Sequence, residues 1–108
     1  MSYRVLLTDD AVQDLEELYD YVFDHDSPAA ADRLLTRVEK VVQSLSELPE
    51  RGAQAPELTA LGIRAYRQIF FKPYRIIYRV IDDALYVYLV AGGRRDMHTL
   101  LSRRLLSR

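Results

Sequence analysis

Arg64, Arg67, Arg75, Arg79, Arg94 and Arg95, interleaved with Tyr66, Tyr74 and Tyr78, crowd into the second part of this 108-residue chain. A guanidinium grips a phosphate or carboxylate through paired hydrogen bonds, and both it and a phenol ring stack on flat groups. The set can therefore hold an anionic target. Cutting is more demanding: attack of an RNA 2′-hydroxyl needs a proton acceptor, a proton donor for the leaving oxygen, and cations at phosphorus. Arginines can supply the cations. For the protons the sequence offers His98, because imidazole can both take and give one, but no second partner accompanies it. The plainer reading of His98 is a solvent-facing residue on a terminal turn, and His25, in the acidic turn Asp24-His25-Asp26, reads as surface.

Each of these residues also has a structural reading. Arg75 and Arg79 can line a face that a protein partner covers, and Asp96 can pair with a strand arginine to lock the end of the last strand. Tyr19, Val22 and Phe23 fall at core spacing on a helix, yet a partner-binding protein must leave an apolar groove somewhere, and this helix edge can form part of it. Both alternatives stand at this level. The chain has no cysteine, which excludes disulfides, thiolate metal sites and a thiol nucleophile. The sequence implies neither metal nor cofactor.

Net charge divides the chain. Met1 to Gly62 holds 5 basic and 13 acidic residues, net -8, and Ile63 to Arg108 holds 10 basic and 3 acidic, net +7. This asymmetry implies an anionic partner or acidic protein surface for the C-terminal part, or else an acidic helical layer lying against a basic sheet. The N-terminal apolar run is broken by Asp9 and Asp10, too early for a signal-peptide core or a membrane span, so the expectation is a soluble, cytoplasmic chain forming one domain over residues 1–108.

The elements that must position these residues follow from periodicity. Tyr3 to Leu7 is a short strand, and Thr8, Asp9 and Asp10 suit a helix start. Ala11, Leu15, Leu18, Tyr19, Val22 and Phe23 recur at helical spacing, with an acidic outer face. Ser27 and Pro28 open a second helix whose seam is Ala31, Leu34, Val38, Val41, Leu45 and Leu48, ending at Pro49. A loop follows, with one short turn at Glu57 to Leu61. Three strands, Ile63 to Phe71, Tyr74 to Ile81 and Leu85 to Ala91, read as an antiparallel meander with two-residue turns. On the middle strand Tyr74, Ile76, Tyr78 and Val80 face one way and Arg75, Ile77, Arg79 and Ile81 the other, which predicts helices on one face and a basic, partly aromatic surface on the opposite one. A short C-terminal helix carries Leu101 and Leu105 on one side. The class is α+β, order β-α-α-β-β-β with that short helix added, a helical hairpin packed on a small, mainly antiparallel sheet.

This order, with the stretch YRIIYRVIDDALYVYLVAGGRRDM, resembles the RelE/ParE toxin superfamily, and its ParE branch in particular, over almost the whole chain. Its most specific part is Tyr74, Arg75 and Tyr78 on one strand with Arg94, Arg95 and Asp96 just after the last. The resemblance implies a bacterial type II toxin of the plasmid-stabilisation kind. It would be held inactive in a hetero-oligomer by a ParD-like antitoxin whose acidic C-terminal segment wraps across it. RelE-like toxins cut mRNA on ribosomes, whereas ParE-like toxins inhibit DNA gyrase and carry no known catalytic set. Arg75 and Arg95 stand at arginine positions of the RelE pattern, but Tyr66 and Gln68 stand near its lysines, and Leu101 near its C-terminal tyrosine.

The expectation is thus a toxin that binds gyrase or a related topoisomerase through Arg64, Arg67, Tyr74, Arg75, Arg94 and Arg95. The antitoxin would be met by Tyr19, Val22, Phe23, Tyr66, Arg75, Tyr78 and Arg79, and Asp96 is structural. One alternative is a ribosome-dependent mRNA endoribonuclease using Arg75, Arg95 and His98; another is an inactive, toxin-derived binding module. Direct specific DNA binding is not expected, because the net -8 of the first part opposes a polyanion.

Overall fold

The helices begin where side-chain acceptors are available. In the computed structural model, which describes residues 2–92 and 96–106, strand β1 (Arg4–Leu7) leads into Thr8, whose hydroxyl accepts from the Ala11 N–H at 3.1 Å and opens helix α1 (Asp9–His25). Ser27 does the same for Ala30 at 3.0 Å, ahead of Pro28, and opens α2 (Pro28–Glu47). Each such cap contributes about 1 kcal/mol by satisfying an amide that the helix itself leaves unpaired. The second helix stops before Pro49, since the residue preceding a proline is driven out of helical geometry. Leu48, read as the end of the seam, lies beyond that stop and is exposed.

Strands β2 (Ala53–Gln54), β3 (Tyr66–Phe71), β4 (Tyr74–Ile81) and β5 (Ala84–Gly92) complete a five-stranded sheet in the order β1-β5-β4-β3-β2. Strand β1 runs parallel to β5, and every other pairing is antiparallel. The meander and its two tight turns are as expected. Asp82, at the β4–β5 turn, has φ 56°, a left-handed conformation that Asp tolerates better than most residues. One strand start and two short elements differ from expectation. The strand expected over Ile63 to Phe71 begins at Tyr66, because Gly62 (φ 80°) and the Ile63 N–H bonded to Leu58 O turn the chain there. Helix α3 (Pro56–Thr59) replaces the turn placed at Glu57, and β2 was unforeseen, since two residues carry no period.

A bulge decides what the sheet presents. Between Ile77 and Tyr78 the β4–β5 register shifts by one, so Tyr78 pairs with Val87 but Ile77 with Leu89. The extra residue, Tyr88, reverses the alternation of β5, as one unpaired residue must. Leu85, Val87 and Val90 consequently join Ile76 and Tyr78 beneath the helices, packed with Ala11 and Leu45. Leu89 and Ala91 instead join Ile77 on the far face, in a second core with Leu58, Met97 and Leu101. Here the expectation of an open basic face is corrected. Helices α3 and α4 (Met97–Leu101), the latter continuing as a π-helical turn over Ser102–Leu106, lay apolar side chains on that face. No helix among the described residues is long and apolar enough to cross a membrane.

Candidate functional site

The far face is where the sheet places Tyr66, Gln68 and Phe70 from β3 opposite Arg79, Ile77 and Arg75 from β4. Arg75 is buried. Its Nη1 and Nη2 donate to the two carboxylate oxygens of Glu57 at 2.8 and 2.9 Å, Nη2 also donates to Gln68 Oε1, and the guanidinium lies 5.2 Å over the Phe70 ring. Those bonds hold the Glu57 carboxyl below its usual value, against the upward push of its own burial, and His98 adds a small pull in the same direction. His98 is exposed; with Glu57, Leu58, Leu61 and Leu101 it lines a cavity of about 210 Å³. The sequence reading therefore missed the carboxylate beside both candidate groups, and the aperiodic loop holding Glu57 gave no signal for it.

Arg79 stays partly exposed, its guanidinium 5.7 Å over Tyr66, and Tyr66 in turn meets Tyr88 edge-on at 5.3 Å. Burial pushes the Tyr88 hydroxyl pKa up. This cation–aromatic stack is what remains open of the predicted basic and aromatic face. Tyr78 and Arg67 point to the helix side instead. Tyr78 is fully buried, donating to Pro49 O at 2.8 Å and accepting from the Gly52 N–H at 3.0 Å, so its side chain offers no surface to a partner. Arg67 is half-buried and ties the same loop by donating to Gly52 O at 2.7 Å. Arg64 is exposed ahead of β3, and Tyr74 is half-buried at the start of β4. Arg94 and Arg95 lie outside the described residues. Asp96 pairs with no strand arginine among those residues. It caps α4, accepting from the Thr99 N–H at 3.2 Å and the Thr99 hydroxyl at 2.7 Å, which lowers its pKa.

The helix residues separate too. Tyr19 lines an apolar groove of about 350 Å³ with Leu7, Val12, Leu15 and Leu35, rimmed by Glu16 and Asp20, and its hydroxyl donates to Asp32 at 2.9 Å. Phe23 is exposed 6.1 Å from that ring, whereas Val22 faces a different cleft at the hairpin end. Among the described residues no group of three or more His, Asp or Glu side chains is disposed to hold a metal ion.

A family model described as the ParE toxin of the type II toxin–antitoxin system parDE matches residues 5–97. The chain belongs to the ParE toxin family. Toxin ParE3 of Caulobacter vibrioides is 25% identical over 101 residues, covering 94% of this chain and 97% of that protein. The chromosomal ParDE system of P. aeruginosa aligns with TM-score 0.69 at 18% identity, over 84% of this chain and 96% of its counterpart. The toxin–antitoxin complex RelBE2 of Mycobacterium tuberculosis aligns with TM-score 0.61 at 22% identity, over 85% and 92%. At those identities the two structures speak for a shared fold.

In this ParE-family chain a further pair lay unseen in the sequence. Asp14 reads as part of the acidic outer face of α1 but is mostly buried, its carboxylate accepting from Arg104 Nη1 and Nη2 at 2.9 Å each and from the Val90 N–H at 3.0 Å. Arg104 also donates to Tyr88 O at 2.8 Å, so the two side chains satisfy backbone groups of β5 beyond the end of β1. The bonds to Asp14 raise the Arg104 pKa. The one sequence signal for this was position: Asp14 lies one turn from both Ala11 and Leu18, at the border of the apolar stripe.

Proposed function

We propose that this ParE-type toxin acts by protein contact, inhibiting DNA gyrase or a related type II topoisomerase in the bacterial cytoplasm, and that a ParD-like antitoxin neutralises it in a hetero-oligomer. The observation that carries the reading is the commitment of Arg75. Both ends of its guanidinium are held by Glu57 and Gln68, on the strand where an RNA-cutting relative would need a cation free for phosphate. The positions near which the RelE pattern keeps its lysines and tyrosine are Tyr66, Gln68 and Leu101, and Leu101 is buried in the far-face core. Contact with a target then falls to Arg64, Arg67, Tyr74, Arg94 and Arg95, and contact with an antitoxin to the apolar groove beside Tyr19 and Phe23 and to the Arg79–Tyr66 stack.

Purified toxin should inhibit gyrase supercoiling and leave ribosome-bound mRNA intact; cleavage of mRNA with supercoiling untouched reverses the assignment. One observation favours the second reading, an mRNA endoribonuclease: Glu57 gives His98 a carboxylate neighbour. On that reading His98→Ala abolishes toxicity while the chain stays folded. Retained toxicity removes it. A chain that arrests no growth when induced alone is an inactive binding module.

A further inference from the structure

At the turn end of the helical hairpin, the last turn of α1, the first turns of α2 and the β3–β4 turn enclose a cleft of about 460 Å³. Arg33 and Arg37 both line it, four residues apart and so on one face of α2. Tyr21 stacks on His25 along one wall (4.1 Å between ring centres, 15° between planes), and Tyr74 lies across from them. Arg37 is held in place, donating to Lys72 O at 2.8 Å with its guanidinium 5.3 Å over the Phe71 ring.

The charges are out of keeping with their surroundings. Of the 5 basic residues before Ile63, set against 13 acidic ones, two stand in this cleft. The ion pairs among the described residues include neither of them. Asp26 also lines the cleft, from the turn between the helices, without reaching ion-pair distance of either arginine. Two guanidinium groups against one carboxylate leave the cleft positive on an otherwise acidic helical layer. A guanidinium already fixed by its own packing loses less freedom when a carboxylate arrives.

We propose that this cleft seats an acidic segment of a protein partner, with its carboxylates on Arg33 and Arg37 and an aromatic or aliphatic side chain between Tyr21 and Tyr74. Arginine and tyrosine together are the composition of protein-interface hot spots, and paired carboxylates match two forks one turn apart. A nucleic acid is disfavoured, because Asp20, Asp24 and Asp26 are exposed on the same end of α1 and repel an extended polyanion. The inference deepens the reading of a toxin neutralised by a protein, but its test reads binding alone and returns an answer whatever the gyrase assay gives.

Panning the purified full-length chain against a random dodecapeptide library should enrich acidic peptides carrying an aromatic or aliphatic residue beside the carboxylates. In an NMR titration the enriched peptides should shift the amides of residues 21–37 and 72–74. They should bind Arg33→Ala/Arg37→Ala about 25-fold more weakly, about fivefold for each half-exposed charge pair, and bind Arg103→Ala, an exposed change in the C-terminal turn outside the cleft, as they bind the parent. Arg33→Glu, which removes no hydrogen bond seen among the described residues, repeats the test should the double variant misfold. Enrichment of basic or neutral peptides overturns the proposal, as does equal affinity for Arg33→Glu. So does displacement of the bound peptide by inorganic phosphate or AMP at lower concentrations than the peptide itself requires, which assigns the cleft to a small phosphate ligand.

Discussion

Arg75 carries its charge at 4% exposure, where a cation costs several kcal/mol unless a counter-charge and acceptors meet it. Glu57 supplies both, and the penalty returns if it is removed alone. Glu57→Ala should therefore destabilise the fold by about 3 kcal/mol, whereas the double change Glu57→Leu/Arg75→Met should cost far less, since it strands no charge. Urea unfolding midpoints decide this. The pair also sets an acid limit. Arg75 lowers the Glu57 pKa in the folded chain below the 4.5 of the free side chain, so the carboxylate's contribution is complete above that value and lost as pH falls through the lowered folded one. Unfolding free energy should fall more steeply below about pH 5 in the parent than in Glu57→Gln. Parallel slopes would detach Glu57 from acid stability. That Arg75 could matter was legible from its type and place on a strand; that it is occupied was not, because its partner comes from a loop without period.

Among elements, those announced by caps and periodicity were legible: Thr8, Ser27 with Pro28, the apolar stripes, and the strand runs. What escaped were features fixed by contacts distant in sequence. The bulge at Tyr88 turns Leu89 and Ala91 to the far face, and α3 and α4 become its cover only because that face is apolar. The loop after α2 is held in the same way. Tyr78 donates to Pro49 and accepts from Gly52, and a Cβ at Gly52 would stand 2.5 Å from Gln68 O and 2.6 Å from the Tyr78 hydroxyl. Tyr78→Phe should cost about 1–2 kcal/mol by orphaning a buried N–H and carbonyl, and Gly52→Ala should cost at least as much, by thermal or urea unfolding. At the other end, Arg104 holds the C-terminal segment to α1 and β5. Arg104→Ala should speed amide exchange in α4 and at Val90 about tenfold or more, while β4 amides stay protected, because the segment opens as a local unit. Unchanged exchange there would mean that Met97 and Leu101 hold the segment without the clamp.

For the whole molecule, the opposed charges of the two parts are largely spent on each other. Each ion pair among the described residues joins the part before Ile63 to the part after it: Arg4 with Asp83, Arg67 with Glu50, Arg75 with Glu57, and Arg104 with Asp10 and Asp14. The asymmetry was legible in composition, but its meaning was not. Internal compensation accounts for Arg67, Arg75 and Arg104, and the cations outside those ion pairs among the described residues are scattered: Arg33, Arg37 and Lys72 at the hairpin end, Lys40 on α2, Arg51 after it, Arg64 ahead of β3, Arg79 on the far face and Arg103 in the C-terminal turn. Such scatter makes a poor track for a phosphate backbone. Since each phosphate neutralised contributes about -0.9 to the slope of log affinity against log salt, a dispersed surface of this kind should give a slope no steeper than about -2 on duplex DNA, without sequence preference. Fluorescence anisotropy with a labelled duplex across a salt series measures it. A slope several times steeper would mean that the basic residues act together on DNA, and the reading of a toxin that works through protein contacts would have to give way.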